Sequence, residues 1–261
     1  MMEIIVSYNK NRTIKIFSNI EKLANHSADF LMKRVKDKSS FENVSIALSG
    51  GSTPKQIFKF IADNYAENID WQKLKIFFGD ERCVPPNHND SNFKMAKEEL
   101  FDKISIPGEN IYRIQGEKEP VKEAERYSEI LKSNLTHKNN LPQFDIVMLG
   151  LGEDGHTASI FPDQIDKFYS DKICEVAAHP QTNQNRITIS GSVINNAKLI
   201  VFIVTGEKKA NIISEILSES ASSTMYPASL VSPKQGELIW MLDTEASQLL
   251  DSQIKQAGII L

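Results

Sequence analysis

Short, almost fully apolar segments alternate along this chain with longer segments in which apolar residues recur every three or four positions. The short segments have the length and composition of buried strands; they are residues 44–48, 75–78, 146–149, 199–204 and 238–242. The longer segments between them predict amphipathic helices. Strands that alternate with helices are typical of a mostly parallel sheet with helices on both faces. We therefore predict an α/β, Rossmann-like fold.

The chain contains no internal repeat, low-complexity tract or clear linker, which favours a single α/β domain that spans residues 1–261. Its length would also accommodate two smaller domains. Near the N-terminus, residues 2–7 and 13–17 predict a hairpin, and Ser18 predicts the N-cap of the first helix. Thr244 predicts the N-cap of a C-terminal helix.

A serine- and glycine-rich loop follows the first buried strand. It consists of Ser49, Gly50, Gly51, Ser52 and Thr53, and it ends at Pro54. Pro54 suits the first turn of a helix with Thr53 as its N-cap, and the backbone N–H groups and dipole of such a helix start favour a bound anion. The loop lacks the G-x-x-x-x-G-K-[ST] pattern of nucleotide-binding loops, so we expect a phosphomonoester rather than a triphosphate. The alternative is a glycine turn that only stabilises the helix start.

Two further loops carry charged residues at the ends of predicted strands. Asp80, Glu81 and Arg82 follow the second buried strand, and Arg82 could bind a phosphate through two hydrogen bonds. Lys208 follows the fourth buried strand, in the predicted first turn of a helix. A cation there opposes the helix dipole, which suggests that it is placed for a ligand. A surface ion pair and a solvated lysine are the alternative interpretations of these residues.

The third buried strand is followed by three glycines within residues 150–155 and then by His156. The carboxyl ends of strands are where ligands bind in open α/β sheets, and histidine exchanges protons near neutral pH. Because Asp154 precedes it, His156 is our candidate catalytic base, with a purely structural histidine as the alternative. The glycine spacing also matches the G-x-G-x-x-G pattern of dinucleotide-binding folds. In those folds the pattern opens a long helix, whereas here Pro162 lies only seven residues after Gly155. This spacing argues against a dinucleotide-binding loop.

Composition argues against several classes of function. With 30 Lys and Arg against 34 Asp and Glu, the formal charge of −4 gives no general attraction to nucleic acid or to an anionic membrane. The apolar segments are too short to span a membrane, and the N-terminus lacks a signal-peptide pattern. Cys83 and Cys174 form no C-x-x-C motif, and the histidines show no metal-ligand spacing. We therefore expect free thiols, no metal site, no nucleic-acid or membrane partner, and a cytoplasmic location.

Taken together, these motifs resemble those of the 6-phosphogluconolactonases. The segments that carry the resemblance are, in chain order, residues 48–54, 79–82 with 84–85 and 91–92, 144–145, 150–162, 186–188, Gly206 with Lys208, and Trp240 with Asp243. The run of residues 150–162 is highly specific, whereas the glycine loops alone are not. The resemblance implies a single α/β domain related to the glucosamine-6-phosphate deaminases and the ribose-5-phosphate isomerases.

The resemblance also implies an activity: hydrolysis of 6-phospho-D-glucono-1,5-lactone to 6-phospho-D-gluconate, the second step of the oxidative pentose phosphate pathway, without a metal or other cofactor. It implies that His156 is the general base and that residues 49–53, Arg82 and Lys208 hold the phosphate of this small-molecule substrate. We expect a monomer or a weak homodimer.

The ring of a catalytic histidine needs a partner that fixes its orientation and tautomer. We expect Asp154 or Asp80 to be that partner for His156.

Two other functions are open to a chain of this kind. The deaminases share a similar loop and an Asp-Gly-His, but they typically continue into Phe-Asn-Glu-Pro, whereas residues 158–162 here are Ala-Ser-Ile-Phe-Pro. They also typically have Asp-Glu-Tyr where residues 80–82 are Asp-Glu-Arg. Both differences favour the lactonase. A non-catalytic phosphosugar sensor would need the anion loop but has no evident use for His156 beside Asp154.

Overall fold

The computed structural model of the chain describes residues 4–9, 12–39, 42–218, 221–250 and 258–260. In these ranges the strands are β1 (Ile4–Asn9), β2 (Arg12–Phe17), β3 (Val44–Leu48), β4 (Leu74–Phe78), β5 (Asp80–Arg82), β6 (Thr136–Lys138), β7 (Leu141–Gln143), β8 (Ile146–Leu149), β9 (Cys174–Ala178), β10 (Asn185–Ile189), β11 (Leu199–Val204), β12 (Glu237–Asp243) and β13 (Gly258–Ile260). The helices are α1 (Ile20–Lys36), α2 (Ser52–Tyr65), α3 (Asn92–Glu99), α4 (Pro120–Asn134), α5 (Gly191–Ile194) and α6 (Ala210–Leu217).

An eight-stranded sheet in the order β13-β1-β2-β12-β11-β8-β3-β4 forms the centre of the described structure. From β2 to β4 in this order, neighbouring strands run parallel, while β1 and β13 are antiparallel at one edge. Every residue of β3, β8 and β11 is buried, as expected for parallel strands that are covered on both faces. The predicted α/β fold with a mostly parallel sheet is confirmed, and so is the opening hairpin, formed by β1 and β2.

One side chain binds the backbone at the end of the edge strand of this sheet. Strand β4 is the edge strand, and the fully buried Tyr127 of α4 lies beside it. The Tyr127 hydroxyl accepts a hydrogen bond from the Phe78 N–H at 2.8 Å and donates one to the Phe78 carbonyl at 3.0 Å. Buried backbone groups need such partners because an unsatisfied one costs about 1–3 kcal/mol. Tyr127 therefore fixes the end of β4, from which Asp80 and Arg82 continue.

The structure differs from two of the predicted helix starts. The N-cap of α1 is Asn19 instead of Ser18, and its side chain accepts from the Lys22 N–H. After β12, the Asp243 carboxylate instead of Thr244 accepts from the Ala246 N–H at 2.7 Å. Residues 244–250 form turns and no helix, and the remainder of the predicted C-terminal helix lies outside the described residues.

The order of strands creates a crevice at the carboxyl end of the sheet. From β3 the chain moves outward to β4, whereas from β8, on the other side of β3, it moves in the opposite direction to β11. Ligands bind at such a switch point in open α/β sheets. Residues 49–53, the glycine loop, follow β3, and residues 150–156, the histidine loop, follow β8. The two loops therefore flank the crevice.

Candidate active site

A cleft of about 260 Å³ occupies this crevice. It is lined by residues 49–54, Asp80, Arg82, Asn92, residues 150–152, His156, Ala158, Arg186, residues 203–205 and Lys209. The loops after β3, β4, β8 and β11 all contribute, because the carboxyl ends of neighbouring parallel strands meet at one edge of the sheet. Of the predicted site residues, all but Asp154 and Lys208 line the cleft.

The glycine loop leads directly into α2, which begins at Ser52 after the N-cap Gly51. Gly51 has a φ of 110°, a conformation that favours glycine. The predicted cap by Thr53 is wrong, since no side chain caps this helix. The Thr53 hydroxyl instead lies 2.7 Å from the hydroxyl of Thr205, at the end of β11. The first N–H groups of α2 have no intrahelical acceptor, so the helix start remains suited to an anion.

Two arginines face each other across neighbouring strands. Strand β5 pairs with β10 in a small antiparallel sheet, and Arg82 is directly opposite Arg186. The Nε of each guanidinium is buried without a hydrogen-bond partner, and among the described residues neither forms an ion pair. Burial lowers the pKa of Arg186, and the charge of Arg82 lowers it further. Like charges directly opposite in a sheet are destabilising, so an anion bound between the two arginines would stabilise the pair.

A buried polar network is centred on Asp80. The Asp80 carboxylate accepts from the Ser159 hydroxyl at 2.6 Å and from the Asn92 side-chain amide at 3.3 Å. Asn92 packs so closely on Gly50 that a Cβ there would overlap it. Asp80 thus connects the glycine loop to the segment that follows His156. It makes no hydrogen bond to His156 among the described contacts, so the structure does not support Asp80 as the partner of that ring.

Glu81, the other acid of this segment, has a structural position. Its buried carboxylate accepts from the Ser91 hydroxyl and from the N–H groups of Asn92 and Phe93, at the start of α3. Burial raises the pKa of Glu81 although these hydrogen bonds lower it in part. Ser91 caps α3 by accepting from the Lys94 N–H.

His156 is paired with Asp154. The Nδ1 of His156 lies 2.6 Å from the Asp154 carboxylate, which also accepts from the His156 N–H at 3.2 Å. Burial alone would raise the pKa of Asp154, but the hydrogen bonds and charge of His156 lower it to about 2. Because Asp154 is therefore ionised near neutral pH, Nδ1 carries the proton of the neutral ring and Nε2 keeps its lone pair. The His156 side chain is 29% exposed and lines the cleft, which is the arrangement that a general base requires.

Gly152 makes room for this pair. A Cβ at residue 152 would overlap both Nδ1 of His156 and the Asp154 carboxylate. We expect Gly152→Ala to separate the two groups and to lower kcat at least tenfold for a reaction in which His156 is the general base, since an unoriented imidazole is a poor base. Gly108→Ala is the matched control, because a Cβ at Gly108 meets no atom within 4 Å. Steady-state kinetics of both variants test this; a Gly152→Ala enzyme with the kcat of the control would contradict it.

Lys208 and Lys209 occupy different positions. Lys208 is exposed and does not line the cleft, whereas Lys209 is half-buried and does. The sequence predicts an α-helical first turn here, but a 3₁₀ turn, Glu207–Lys209, precedes α6, and its third residue reaches the cleft. Burial lowers the pKa of Lys209, while the carboxylates of Glu153 and Asp154 partly offset that effect. The structure therefore places Lys209, and not the predicted Lys208, in the cleft.

Three residues of the cleft, Arg186, Asn92 and Lys209, are not predicted from the sequence. Arg186 and Asn92 lie within segments that carry the family resemblance, but nothing in their local sequence shows that they reach the cleft. The pairing of β10 with β5 brings Arg186 opposite Arg82, and such antiparallel pairing between distant strands cannot be inferred from periodicity.

Phe161 lies close to His156 in sequence as well as in space. Its aromatic ring contacts the His156 ring at a centroid distance of 4.8 Å.

Other predicted features concern thiols, metals and membranes. Cys83 and Cys174 are free, as predicted, and burial raises their pKa values to about 11 and about 12. Within the described ranges, no three His, Cys, Asp or Glu side chains form a group that could hold a metal ion. No helix in the same ranges combines the length and apolar character needed to cross a membrane.

Comparison with known proteins gives the family. Residues 18–240 match the model of the family described as glucosamine-6-phosphate isomerases/6-phosphogluconolactonase. A 6-phosphogluconolactonase of Haemophilus influenzae is 42% identical over 229 residues, which cover 87% of this chain and 97% of that protein. The crystal structure of a devB protein is 38% identical, with a TM-score of 0.87 over 92% of this chain and 100% of that one. A 6-phosphogluconolactonase from Trypanosoma brucei is 29% identical, with a TM-score of 0.82 over 94% of this chain and 100% of that one.

These similarities extend over nearly the whole length of the chain and include the segments that build the cleft. The chain is an enzyme that belongs to the glucosamine-6-phosphate isomerase/6-phosphogluconolactonase family and, within it, to the 6-phosphogluconolactonases.

Proposed function

We propose that this enzyme hydrolyses 6-phospho-D-glucono-1,5-lactone to 6-phospho-D-gluconate by a metal-free mechanism in which His156 is the general base. The observation that carries the proposal is that one cleft is lined by three cationic side chains and by a histidine whose Nδ1 is bound to a carboxylate; the cations are those of Arg82, Arg186 and Lys209. The names of the related proteins support the same substrate.

The phosphate binds, in this proposal, at the start of α2 between Arg82, Arg186 and Lys209. Two guanidinium groups offer planar pairs of donors to phosphate oxygens, and the phosphate removes the repulsion between the two facing arginines. The N–H groups of residues 51–53 add uncharged donors. Binding at one end of the cleft orients the sugar ring so that its carbonyl carbon C1 lies near His156.

The chemistry then needs one proton acceptor. Nε2 of His156 takes a proton from a water molecule while the oxygen of that water forms a bond to C1 of the lactone. When the bond from C1 to the ring oxygen breaks, the protonated histidine returns a proton to that oxygen. Asp154 stabilises the imidazolium formed between the two steps and keeps the tautomer correct. Since sugar δ-lactones hydrolyse slowly in water by themselves, help of ~10²–10⁴-fold from the base is sufficient.

The direct test is hydrolysis of freshly prepared 6-phosphogluconolactone, followed by proton release and compared with the spontaneous rate. We expect a large acceleration that saturates with substrate and needs no added metal, with unchanged rates after treatment with EDTA. Binding of 6-phosphogluconate without acceleration would indicate a sensor, and release of ammonia from glucosamine 6-phosphate would indicate a deaminase. Either result would overturn the proposal.

Lysine variants test the assignment of the phosphate site. We expect Lys209→Ala to raise KM about 10- to 100-fold with little change in kcat, because a charged donor is lost equally from ground and transition states. Lys208→Ala, its neighbour on the exposed side, should leave KM within about twofold. If Lys208→Ala has the larger effect, the sequence-based prediction for Lys208 holds and our assignment of Lys209 is wrong.

The pKa of Lys209 also predicts how the affinity for 6-phosphogluconate changes with pH. Because burial lowers the pKa of Lys209, it loses its proton at a lower pH than an exposed lysine does. We expect the affinity for 6-phosphogluconate to fall as the pH rises into the alkaline range, and Lys209→Arg to weaken this fall because arginine stays charged. Calorimetric titration at several pH values measures both.

Location and assembly stay predictions: a cytoplasmic enzyme that acts as a monomer or a weak homodimer. Analytical ultracentrifugation over a range of concentrations tests the second point.

A further inference from the structure

We propose that Asp243, which lies outside the cleft, is a positioning residue that holds Lys209 in place for the phosphate. This inference rests on the proposed function, because it gives Asp243 a role in binding the phosphosugar. Asp243 ends β12, next to the end of β11, and is only 9% exposed. It is not among the residues that line the cleft.

The carboxylate of Asp243 is bound to the turn that carries the lysine. The N–H of Gly206 donates to both carboxylate oxygens, at 3.1 and 3.0 Å. On its other side, the Gly206 carbonyl accepts from the Lys209 N–H at 3.1 Å. Gly206 is therefore held between Asp243 and the backbone of Lys209, so that a shift of the carboxylate moves the lysine.

The backbone conformation of Gly206 explains why its hydrogen bonds to Asp243 are needed. Its φ of 92° is one that glycine adopts readily, and a Cβ there would meet nothing within 4 Å. Glycine is thus needed for the backbone conformation and not for space. A turn with a glycine at this position has many alternative conformations, and a charge-assisted hydrogen bond to a buried carboxylate selects one of them.

A second contact holds the same turn from the opposite direction. Thr205 precedes Gly206, and its hydroxyl lies 2.7 Å from the hydroxyl of Thr53 in the glycine loop. The turn is therefore fixed to the glycine loop at Thr205 and to β12 at Gly206. These two attachments set the distance between Lys209 and the start of α2, which would bind the same phosphate.

A merely structural role for Asp243 would have different consequences. The carboxylate also accepts from the Ala246 N–H and so stabilises the turn after β12. If that were its whole role, substitution would lower stability and leave substrate binding unchanged. Asp145 offers the matched control, since its carboxylate accepts from the Ser45 N–H and hydroxyl at the opposite end of the sheet, away from the cleft.

The test compares Asp243→Ala, Asp243→Asn, Lys209→Ala, the double variant Asp243→Ala/Lys209→Ala, and Asp145→Asn. KM and kcat are measured for 6-phosphogluconolactone, dissociation constants for 6-phosphogluconate, and melting temperatures for each protein. We expect Asp243→Ala to raise KM about 5- to 50-fold with kcat changed less than about threefold. Asp243→Asn should show a smaller rise, because its amide oxygen still accepts from Gly206. Asp145→Asn should lower the melting temperature without raising KM.

The double variant decides whether Asp243 acts through Lys209. We expect its KM to equal that of Lys209→Ala, since residues that act as one unit are not additive. Effects of Asp243→Ala and Lys209→Ala that multiply in the double variant, or a KM for the Asp243 variants equal to that of wild type, would overturn the inference. If Asp243→Ala does not fold, Asp243→Asn and the double variant Asp243→Asn/Lys209→Ala make the same comparison. If the wild type fails to accelerate lactone hydrolysis, the proposed function is wrong, and the dissociation constants for 6-phosphogluconate still test the coupling of Asp243 to Lys209.

Discussion

Alanine in place of His156 should lower kcat for 6-phosphogluconolactone by ~10²–10⁴-fold, the usual contribution of a general base. KM should change less than about threefold, since the phosphate is held by other residues. The loss follows from the geometry of the ring, whose Nδ1 is bound to Asp154 and whose Nε2 is left to accept a proton. Initial rates over a range of substrate concentrations, corrected for spontaneous hydrolysis, measure both parameters.

Two companion variants sharpen this experiment. His137→Ala replaces an exposed histidine of β6 and should leave kcat unchanged. Asp154→Asn should lower kcat at least roughly tenfold, because an amide can hold the wrong tautomer of the ring. A His156→Ala enzyme that keeps the kcat of the His137→Ala control would refute the role of His156.

The pKa of Asp154 restricts how the pH profile is interpreted. Since it is lowered to about 2, the carboxylate stays ionised on mild acidification. A fall of kcat on mild acidification therefore reports protonation of another group, and Asp154 contributes only near the lowered pKa. We expect the Asp154→Asn enzyme to keep an acidic limb in its profile for the same reason.

Replacement of Arg186 by methionine should have the second largest effect, a rise in KM of about 10- to 100-fold with little change in kcat. Methionine keeps much of the apolar stem and removes the charge. The guanidinium of Arg186 makes no hydrogen bond or ion pair with the other described residues, whereas Arg82 donates to the Asp90 carbonyl at 2.6 Å. Arg186 is therefore the cleaner of the two for this test.

Although Arg186→Met should weaken substrate binding, it should make the ligand-free protein more stable. Without ligand, loss of one of two facing like charges should raise the free energy of unfolding by up to about 1 kcal/mol. With inorganic phosphate present, the wild type should gain more stability than the variant, because only the wild type has the complete site. Arg186→Lys, which keeps the charge, is the control. An Arg186→Met protein that binds phosphosugar as well as wild type, or that is less stable than Arg186→Lys without ligand, would contradict the assignment.

The pattern of apolar segments was sufficient to predict the fold and to predict which loops meet at the cleft. Buried parallel strands such as β3, β8 and β11 have no polar face, so their short apolar runs are distinct in sequence. Once the sheet is parallel, the loops after these strands must meet at one edge. For this reason His156, the glycine loop and Arg82 could be predicted to lie near one another before the structure was known.

The sequence did not distinguish between two neighbouring residues where either could serve the same purpose. Ser18 and Asn19 are both good N-caps. Asp243 and Thr244 can both accept from the N–H groups of the turn after β12, where Asp243 does so. Lys208 and Lys209 are chemically identical, and only the 3₁₀ turn decides which of them reaches the cleft. Sequence patterns locate such features to within a residue or two, because the choice depends on backbone angles that propensity does not determine.

The sequence by itself determined the α/β class, the edge of the sheet that carries the site, and the histidine with its adjacent acid, since each follows from local order along the chain. Only the tertiary structure decided that Arg186 faces Arg82, that Asp80 belongs to a buried network and not to the His156 ring, and that the Asp243 carboxylate accepts from the Gly206 N–H. The physical reason is the same in each case. These contacts join segments that are distant in sequence, and their geometry is set by strand pairing and by burial of polar groups, neither of which leaves a periodic signal in the chain.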